Sequence, residues 1–252
     1  MIHMIDPQRF LPKVLHKSIV LRQQPIEHTM NNQICYYTFL DVSMDAYTSI
    51  NTNFIELTHK YTYFVLVSGH KGDTSYKQYL SSILGPKTIF IESQQNSMAC
   101  KFDLLKQYLE QHRSEYIDAI FCKIDTDLVH YRTKKFQSQM RQIFAKNKNV
   151  LVGVDCGHTK HIRGGLNVVH VDSILNCPVW AEDYNPFEFD IKFTELLLKN
   201  NIKKFNFFTF NQTEVLDVGC FATHVVTQGL DNRKVDQLIN LLNQLKSLGV
   251  VI

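Results

Sequence analysis

From residue 34 onward, short apolar runs rich in β-formers alternate with longer segments whose apolar residues recur at helical spacing. The runs fall at 34–40, 63–67, 88–91 and 120–124. Between them, 45–60 carries Ala46, Ile50, Phe54 and Leu57, 74–84 is closed by Gly85-Pro86, and 97–113 carries Met98, Phe102, Leu105 and Leu109 on one face. A connection long enough to hold a helix joins parallel strands, so the pattern predicts an α/β fold: a mainly parallel central sheet with helices on both faces. Ligands of such sheets gather outside the carboxyl ends of the strands. By that rule Asp41, the Ser68-Gly69 loop and the acids that close the fourth run share one rim.

Those acids are Asp125 and Asp127, separated by Thr126. A buried strand that delivers two carboxylates needs a partner for their charge. Acids at i and i+2 point to one side of an extended chain, so one divalent cation can engage both, directly or through water. The alternative at this point is an Asp-rich turn that closes the strand.

Past residue 133 the texture changes. Residues 133–146 form an amphipathic helix with Phe136, Met140, Ile143 and Phe144 on one side, and 150–154 a further strand. In 158–171, Gly164 and Gly165 stand between Arg163 and a second apolar run. Such a pair permits either a turn or close approach of backbone to a ligand. Trp180, Glu182 and Asp183 belong to an acidic loop heading a helix at 187–200. Strands are expected at 205–210 and 215–221, with Thr223-His224 just beyond, and a last helix at 231–248 with Val235, Leu238, Leu241, Leu242 and Leu245 inward. Residues 1–30, punctuated by Pro7, Pro12 and Pro25, read as an irregular arm. With no repeat or linker, one domain over 1–252 is the simplest organisation: the arm, a half at 31–132 and a half at 133–252.

Composition narrows the function classes. A chain of 252 residues can bury a large core. Its net charge of +3 comes with scattered basic residues, which argues against a nucleic-acid binder. The six cysteines (35, 100, 122, 156, 177 and 220) lack Cys-x-x-Cys spacing, so they read as buried thiols of a reducing compartment rather than as zinc ligands or a disulfide framework. No stretch reaches 18 consecutive apolar residues, so a soluble, cytoplasmic protein without a transmembrane segment is expected.

Taken in order, these motifs resemble the GT-A-fold glycosyltransferases, enzymes that use a nucleotide sugar and a divalent metal. The resemblance runs from about residue 34 to residue 224. It rests on the strand–helix start, on Ile124-Asp125-Thr126-Asp127, on Ile162-Arg163-Gly164-Gly165-Leu166-Asn167 and on Trp180-Ala181-Glu182-Asp183. It implies a Rossmann-like nucleotide-binding half at 31–132 and a mixed acceptor-binding half at 133–252. It further implies Mn²⁺ or Mg²⁺ as cofactor, a UDP-sugar or other nucleotide-sugar donor, and a glycan or glycoprotein acceptor of a hexosyl or deoxyhexosyl group.

Carried over residue by residue, the resemblance sets Asp125 near ribose and metal, Asp127 on the metal, and His224 as a further ligand, with His158 and His161 as rivals. Asp183 becomes the general base, or Glu182 in its stead, which implies inversion at the anomeric carbon. Arg163 pairs with a donor phosphate or an acceptor carboxylate while Gly164 and Gly165 admit the sugar. Asp41 reads ribose or acts as a base, Ser68 lies on the nucleotide rim, and Lys71 and Lys101 are phosphate contacts. Trp180 either stacks on a sugar ring or fills the core. Two other readings stay open: a nucleotidyltransferase of sugar phosphates, against which Leu40-Asp41-Val42-Ser43 offers no glycine loop, and a non-catalytic nucleotide- or sugar-binding module.

Overall fold

The computed structural model describes residues 32–41, 52–68, 75–95, 97–126, 128–156, 161–178, 186–207, 222–224, 240 and 243–249. The chain divides into two compact units, Met1–Asn31 and Asn32–Ile252. The first, which includes the expected arm, lies outside the described residues, and every described element belongs to the second.

In chain order the elements are β1 (Ile34–Asp41), α1 (Thr52–Lys60), β2 (Tyr63–Ser68), α2 (Ser75–Ile83), β3 (Thr88–Ser93), α3 (Met98–Gln111), a 3₁₀ turn (Arg113–Glu115), β4 (Ile120–Ile124), β5 (Leu128–His130), α4 (Thr133–Lys146), β6 (Val150–Cys156), β7 (His161–His170), α5 (Val171–Leu175), α6 (Pro186–Lys199), β8 (Lys203–Asn206) and β9 (Ala222–His224). Seven strands form one sheet in the order β3-β2-β1-β4-β7-β6-β8, and β5 pairs with β9 in a separate ribbon. In the large sheet β7 alone runs against its neighbours, pairing antiparallel with β4 and β6, while the other pairs are parallel. The fold is thus α/β with a mixed, mostly parallel sheet, as the alternation predicts.

The order of the strands fixes where the sheet opens. From β1 the chain steps outward through α1 to β2 and through α2 to β3, then returns through α3 to β4 on the other side of β1. Right-handed crossovers in opposite directions must lay their helices on opposite faces. The core is divided that way. Phe54 and Leu57 of α1, Tyr76 and Leu80 of α2, and Phe136, Met140 and Phe144 of α4 share one buried cluster. Phe102, Leu105 and Leu109 of α3, Ile174 of α5, and Phe189, Phe193 and Leu197 of α6 share the other. β1 and β4, side by side, are where the winding reverses, and the gap beyond their carboxyl ends is the place for a ligand.

The edges differ from the centre. Every residue of β2 is buried, whereas β3 is mostly half-exposed and β8 largely exposed. β8 is short and opens with two lysines, which blunts an edge that would otherwise recruit another strand. Lys204 of β8 also holds both carboxylate oxygens of Asp155 in β6, at 2.7 and 2.9 Å.

Several expectations shift. The helix expected at 45–60 is described from Thr52, and the one expected at 97–113 spans Met98–Gln111, with the 3₁₀ turn taking up the rest. The Gly164-Gly165 pair is not a turn: both lie inside the ten-residue strand β7, and the five-residue helix α5 follows directly. Of the strand expected at 205–210, Lys203–Asn206 is β8, and 215–221 lies outside the described residues. Helix is present at 243–247 within the last expected segment. Cys35, Cys122 and Cys177 are buried free thiols, but Cys100 and Cys156 are half-exposed, and Cys220 lies outside the described residues. No described helix is long and apolar enough to cross a membrane.

Candidate active site

At the carboxyl rim Asp41 is level with Ser68, and Ser68 with Ser93, across β1, β2 and β3. Tyr37 of β1 is opposite Lys123 of β4, so Asp125 follows two residues past the last paired position, beside the end of β1. The sequence-predicted Asp41, Ser68 and Asp125 therefore share the rim at and next to the switch point. Ser68 is buried, and Asp41 is described by its backbone alone.

The Asp125 amide donates to the Gly165 carbonyl at 3.0 Å. Two motifs forty residues apart in sequence are thus joined by a backbone hydrogen bond. Gly165 comes here because β7 does not track β6 evenly. Asn167 faces Gly153 and Ile162 faces Asp155, which leaves Val154 opposite the whole stretch 163–166. The strand bulges at Arg163-Gly164-Gly165, and a bulge re-aims backbone at the edge of a site. Gly153 makes room for this: a Cβ there would collide with the Ile162 side chain.

Beyond Asp125 the chain turns, with the Leu128 amide donating to the Asp125 carbonyl at 3.1 Å, and enters β5. In the ribbon, Leu128 is opposite His224, Val129 opposite Thr223 and His130 opposite Ala222. The backbone of His224 is therefore held opposite Leu128, the residue that follows Asp127 in the sequence. Asp127, Lys71, His158, Trp180, Glu182 and Asp183 lie outside the described residues, as do the side chains of His224 and Arg163. Among the described residues no three His, Cys, Asp or Glu side chains converge. Of the acids and histidines that the sequence suggests as metal ligands here, the described residues show the Asp125 side chain and the backbone of His224. His161 is described, half-buried at the start of β7 and opposite Cys156.

Asn53 of α1 anchors the ribbon. Its side-chain amide donates to the His130 carbonyl at 3.0 Å and its oxygen accepts the His130 amide at 2.7 Å, both buried. The His130 ring is sealed between aromatic neighbours, edge-on to Phe136 at 4.8 Å and to Tyr36 at 6.0 Å. Burial holds its pKa down at about 4, partly countered by the hydrogen bond from Nδ1 to the Tyr131 carbonyl.

Sequence reasoning missed Lys123. It interrupts the apolar run 120–124 and looks like an edge residue, yet its side chain is 3% exposed. Its Nζ donates to Asp125 Oδ1 at 2.9 Å, stands 3.7 Å from Asp190 Oδ1 and lies over the Phe39 ring, 5.9 Å from its centre. Asp190 comes from α6, which is tied to β7 through Thr194: that hydroxyl donates to the Asp190 carbonyl at 2.8 Å and accepts the Ile162 amide at 3.1 Å. Across the sheet from Lys123 is Asn167, fully buried, whose Oδ1 has no hydrogen-bond partner among the described residues. An ammonium inside a sheet is tolerated where carboxylates hold it. The available signal was a lysine two positions before an acidic pair, which spacing places on the same face as Asp125.

Lys101, a candidate phosphate contact, is 3% exposed and donates to the Leu40 carbonyl at 3.3 Å. It shapes the end of β1 from beneath the rim. A cavity of about 630 Å³ lies elsewhere, between α1 and the start of α4, with Lys60, Arg132, Lys134 and Lys135 in its walls. Asn53 lines it as well, and neither Asp125 nor Asp190 is among its described lining residues.

No family model and no curated protein sequence matches the chain. Solved structures resemble it in shape, two of them as follows. One is the galactosyltransferase LgtC in complex with donor and acceptor sugar analogs, at 12% identity and a TM-score of 0.48, covering 82% of this chain and 95% of that one. The other is a protein from Desulfovibrio desulfuricans G20 assigned as a nucleotide-diphospho-sugar transferase, at 11% identity and a TM-score of 0.40, covering 69% and 81%. At these values the likeness carries no functional weight, which rests on the chain's own residues.

Proposed function

We propose that the protein is a metal-dependent glycosyltransferase of the GT-A kind, moving a sugar from a nucleotide donor, by first preference a UDP-sugar, to a hydroxyl of a glycan or glycoprotein. One observation carries the reading: the β5–β9 register sets His224 opposite Leu128, one residue past Asp127 and next to the switch point. A bare Asp-rich turn gives no reason for a distant histidine to be paired beside it.

In this reading Asp127 and His224 hold Mn²⁺ or Mg²⁺, and Asp125 lies between metal and ribose. The metal supplies neutralisation of the charge that develops on the departing nucleoside diphosphate. The residues of the chain do the rest. Asp41 and Ser68, level on β1 and β2, line the nucleotide side of the rim. The bulge of β7 offers Gly164 and Gly165 as a low wall for the sugar, with Arg163 beside it to meet a phosphate or an acceptor carboxylate. Asp183, or Glu182, on the loop that precedes α6, takes the proton from the acceptor hydroxyl as it attacks the anomeric carbon, with inversion.

Release of nucleoside diphosphate tests this. With Mn²⁺ and a panel of nucleotide sugars, the wild-type protein is expected to hydrolyse one donor slowly even without acceptor. Asp127→Ala should abolish that release. Metal-independent release, or none across the panel together with no nucleotide-induced stabilisation, would rule the reading out.

A further inference from the structure

Lys123 raises a question that the proposed chemistry leaves unanswered. A cation at 2.9 Å from Asp125 opposes the arrival of a second cation at the same carboxylate. Its position is nonetheless built with care. It is almost fully buried, it lies on an aromatic face, and Asp190 of α6 stands on its other side at 3.7 Å. Asp190 Oδ1 is itself buried and makes no hydrogen bond among the described residues, so this attraction is what balances it.

Counting the charges gives the meaning. Among the described residues Asp125 and Asp190 bring two negative charges to the corner around Lys123, which returns one positive charge, and the sequence adds a further acid at 127. Without the lysine, the uncompensated carboxylates of Asp125 and Asp190 would favour a divalent cation in the absence of any nucleotide. With it, the corner is less attractive to a lone cation and more attractive to an anion. A metal–diphosphate pair suits such a corner better than either ion alone.

We propose that Lys123 is a positioning residue that acts as the site's resident counter-cation, orienting Asp125 and making uptake of the divalent metal depend on the nucleoside diphosphate; this rests on the glycosyltransferase reading above. The ammonium holds the Asp125 carboxylate through Oδ1 and so sets how that carboxylate faces the rim. Because Asp190 is tied through Thr194 to β7, the same ammonium links the metal side of the site to the helix that follows the acceptor loop.

The test is titration of Mn²⁺, followed by the signal of the free ion, into the full chain with and without UDP. Wild type, Lys123→Met, Lys123→Gln, Lys123→Arg and Asp190→Asn are compared. Removing the charge at 123 is expected to tighten Mn²⁺ alone and to weaken UDP binding to the metal-loaded protein. The coupling between the two then falls by at least about fivefold, within the usual range for linked sites. Lys123→Arg should keep the coupling of the wild type. Structural damage alone would weaken both ligands together, so parallel weakening, or unchanged coupling in folded Lys123→Met, overturns the proposal. If neither neutral variant folds, Asp190→Asn decides: Mn²⁺ alone must bind more weakly, and unchanged affinity is contrary. A wild type that takes up neither Mn²⁺ nor Mn²⁺ with UDP overturns the functional reading and this one with it. Binding of the pair with no change on substitution overturns this one alone.

Discussion

His130 illustrates how one residue ties stability to pH. The imidazole is uncharged when folded, with a pKa near 4 set by burial, against about 6.5 when the chain is unfolded. Between those values the unfolded state binds the extra proton, so stability rises with pH. The contribution is complete above pH 6.5 and is lost as pH falls toward 4, amounting to about 3 kcal/mol at the lower end. His170, also lowered chiefly by burial, acts in the same direction. Denaturant unfolding at pH 7 and pH 4.5 should show the loss, and His130→Phe, which keeps an aromatic ring against Phe136, should flatten it. An equal loss in that variant would assign the acid sensitivity to other groups.

Lys123 marks the limit of reading residues from sequence. Its neighbours Phe121 and Ile124 identify a strand, and the i, i+2 spacing puts Lys123 on the face of Asp125, but nothing local says that the lysine is buried or that Asp190 meets it. Asp190 is sixty-seven positions away, and that partnership is made by the packing of α6 on the sheet rather than by any motif. Asp125 was legible because a pair of acids that ends an apolar run is already an anomaly of charge.

Among the elements, the ribbon of β5 and β9 is the one on which the site depends most. Three-residue strands have little stability of their own. Asn53 makes up for this by pairing with both backbone groups of His130 from α1. Asn53→Ala strands a buried amide and a buried carbonyl, and is expected to cost about 2–4 kcal/mol in denaturant unfolding. On the proposed function it should also raise the metal concentration needed for donor hydrolysis, because the ribbon holds His224 opposite Leu128. Unaltered metal dependence in a destabilised Asn53→Ala would separate the ribbon from the site.

The turn between α2 and β3 makes a second demand. The Gly85 amide donates to Thr58 Oγ1 at 2.9 Å, and a Cβ at Gly85 would meet the Thr58 carbonyl and the His59 backbone. Gly85→Ala therefore forces α1 away from the turn, with an expected loss of about 1–3 kcal/mol. Since α1 begins at the rim while this contact is at its far end, donor hydrolysis in the folded fraction should be spared. Gly85-Pro86 was legible as a helix stop. Gly164-Gly165 left a turn and a close backbone approach open, and it is long-range pairing with β4 and β6 that draws the pair into a strand.

For the molecule as a whole, the alternation of apolar runs and helical segments was enough to predict a mostly parallel sheet covered on both faces. The order of its strands was not in the pattern. The reversal after β3 follows from α3 crossing to the other face, and with it come the two separate core clusters and the opening between β1 and β4. The antiparallel course of β7 joins the first half of the sheet to the second, and its bulge meets Asp125 there. The proposed site, drawn from β1, β4, β5, β7, α6 and β9, is a property of topology. Sequence supplied Asp125 and His224, and the fold joins the first to Gly165 of β7 and pairs the second with Leu128.

The most direct measurement of that assembly is pulsed electron paramagnetic resonance on Mn²⁺ bound with UDP. The account predicts a phosphorus coupling from the diphosphate and a nitrogen coupling from an imidazole, the nitrogen coupling lost in His224→Gln and the whole complex lost in Asp127→Ala. A Mn²⁺–UDP complex that lacks the nitrogen coupling, or keeps it in His224→Gln, would contradict the metal site proposed at the end of β4.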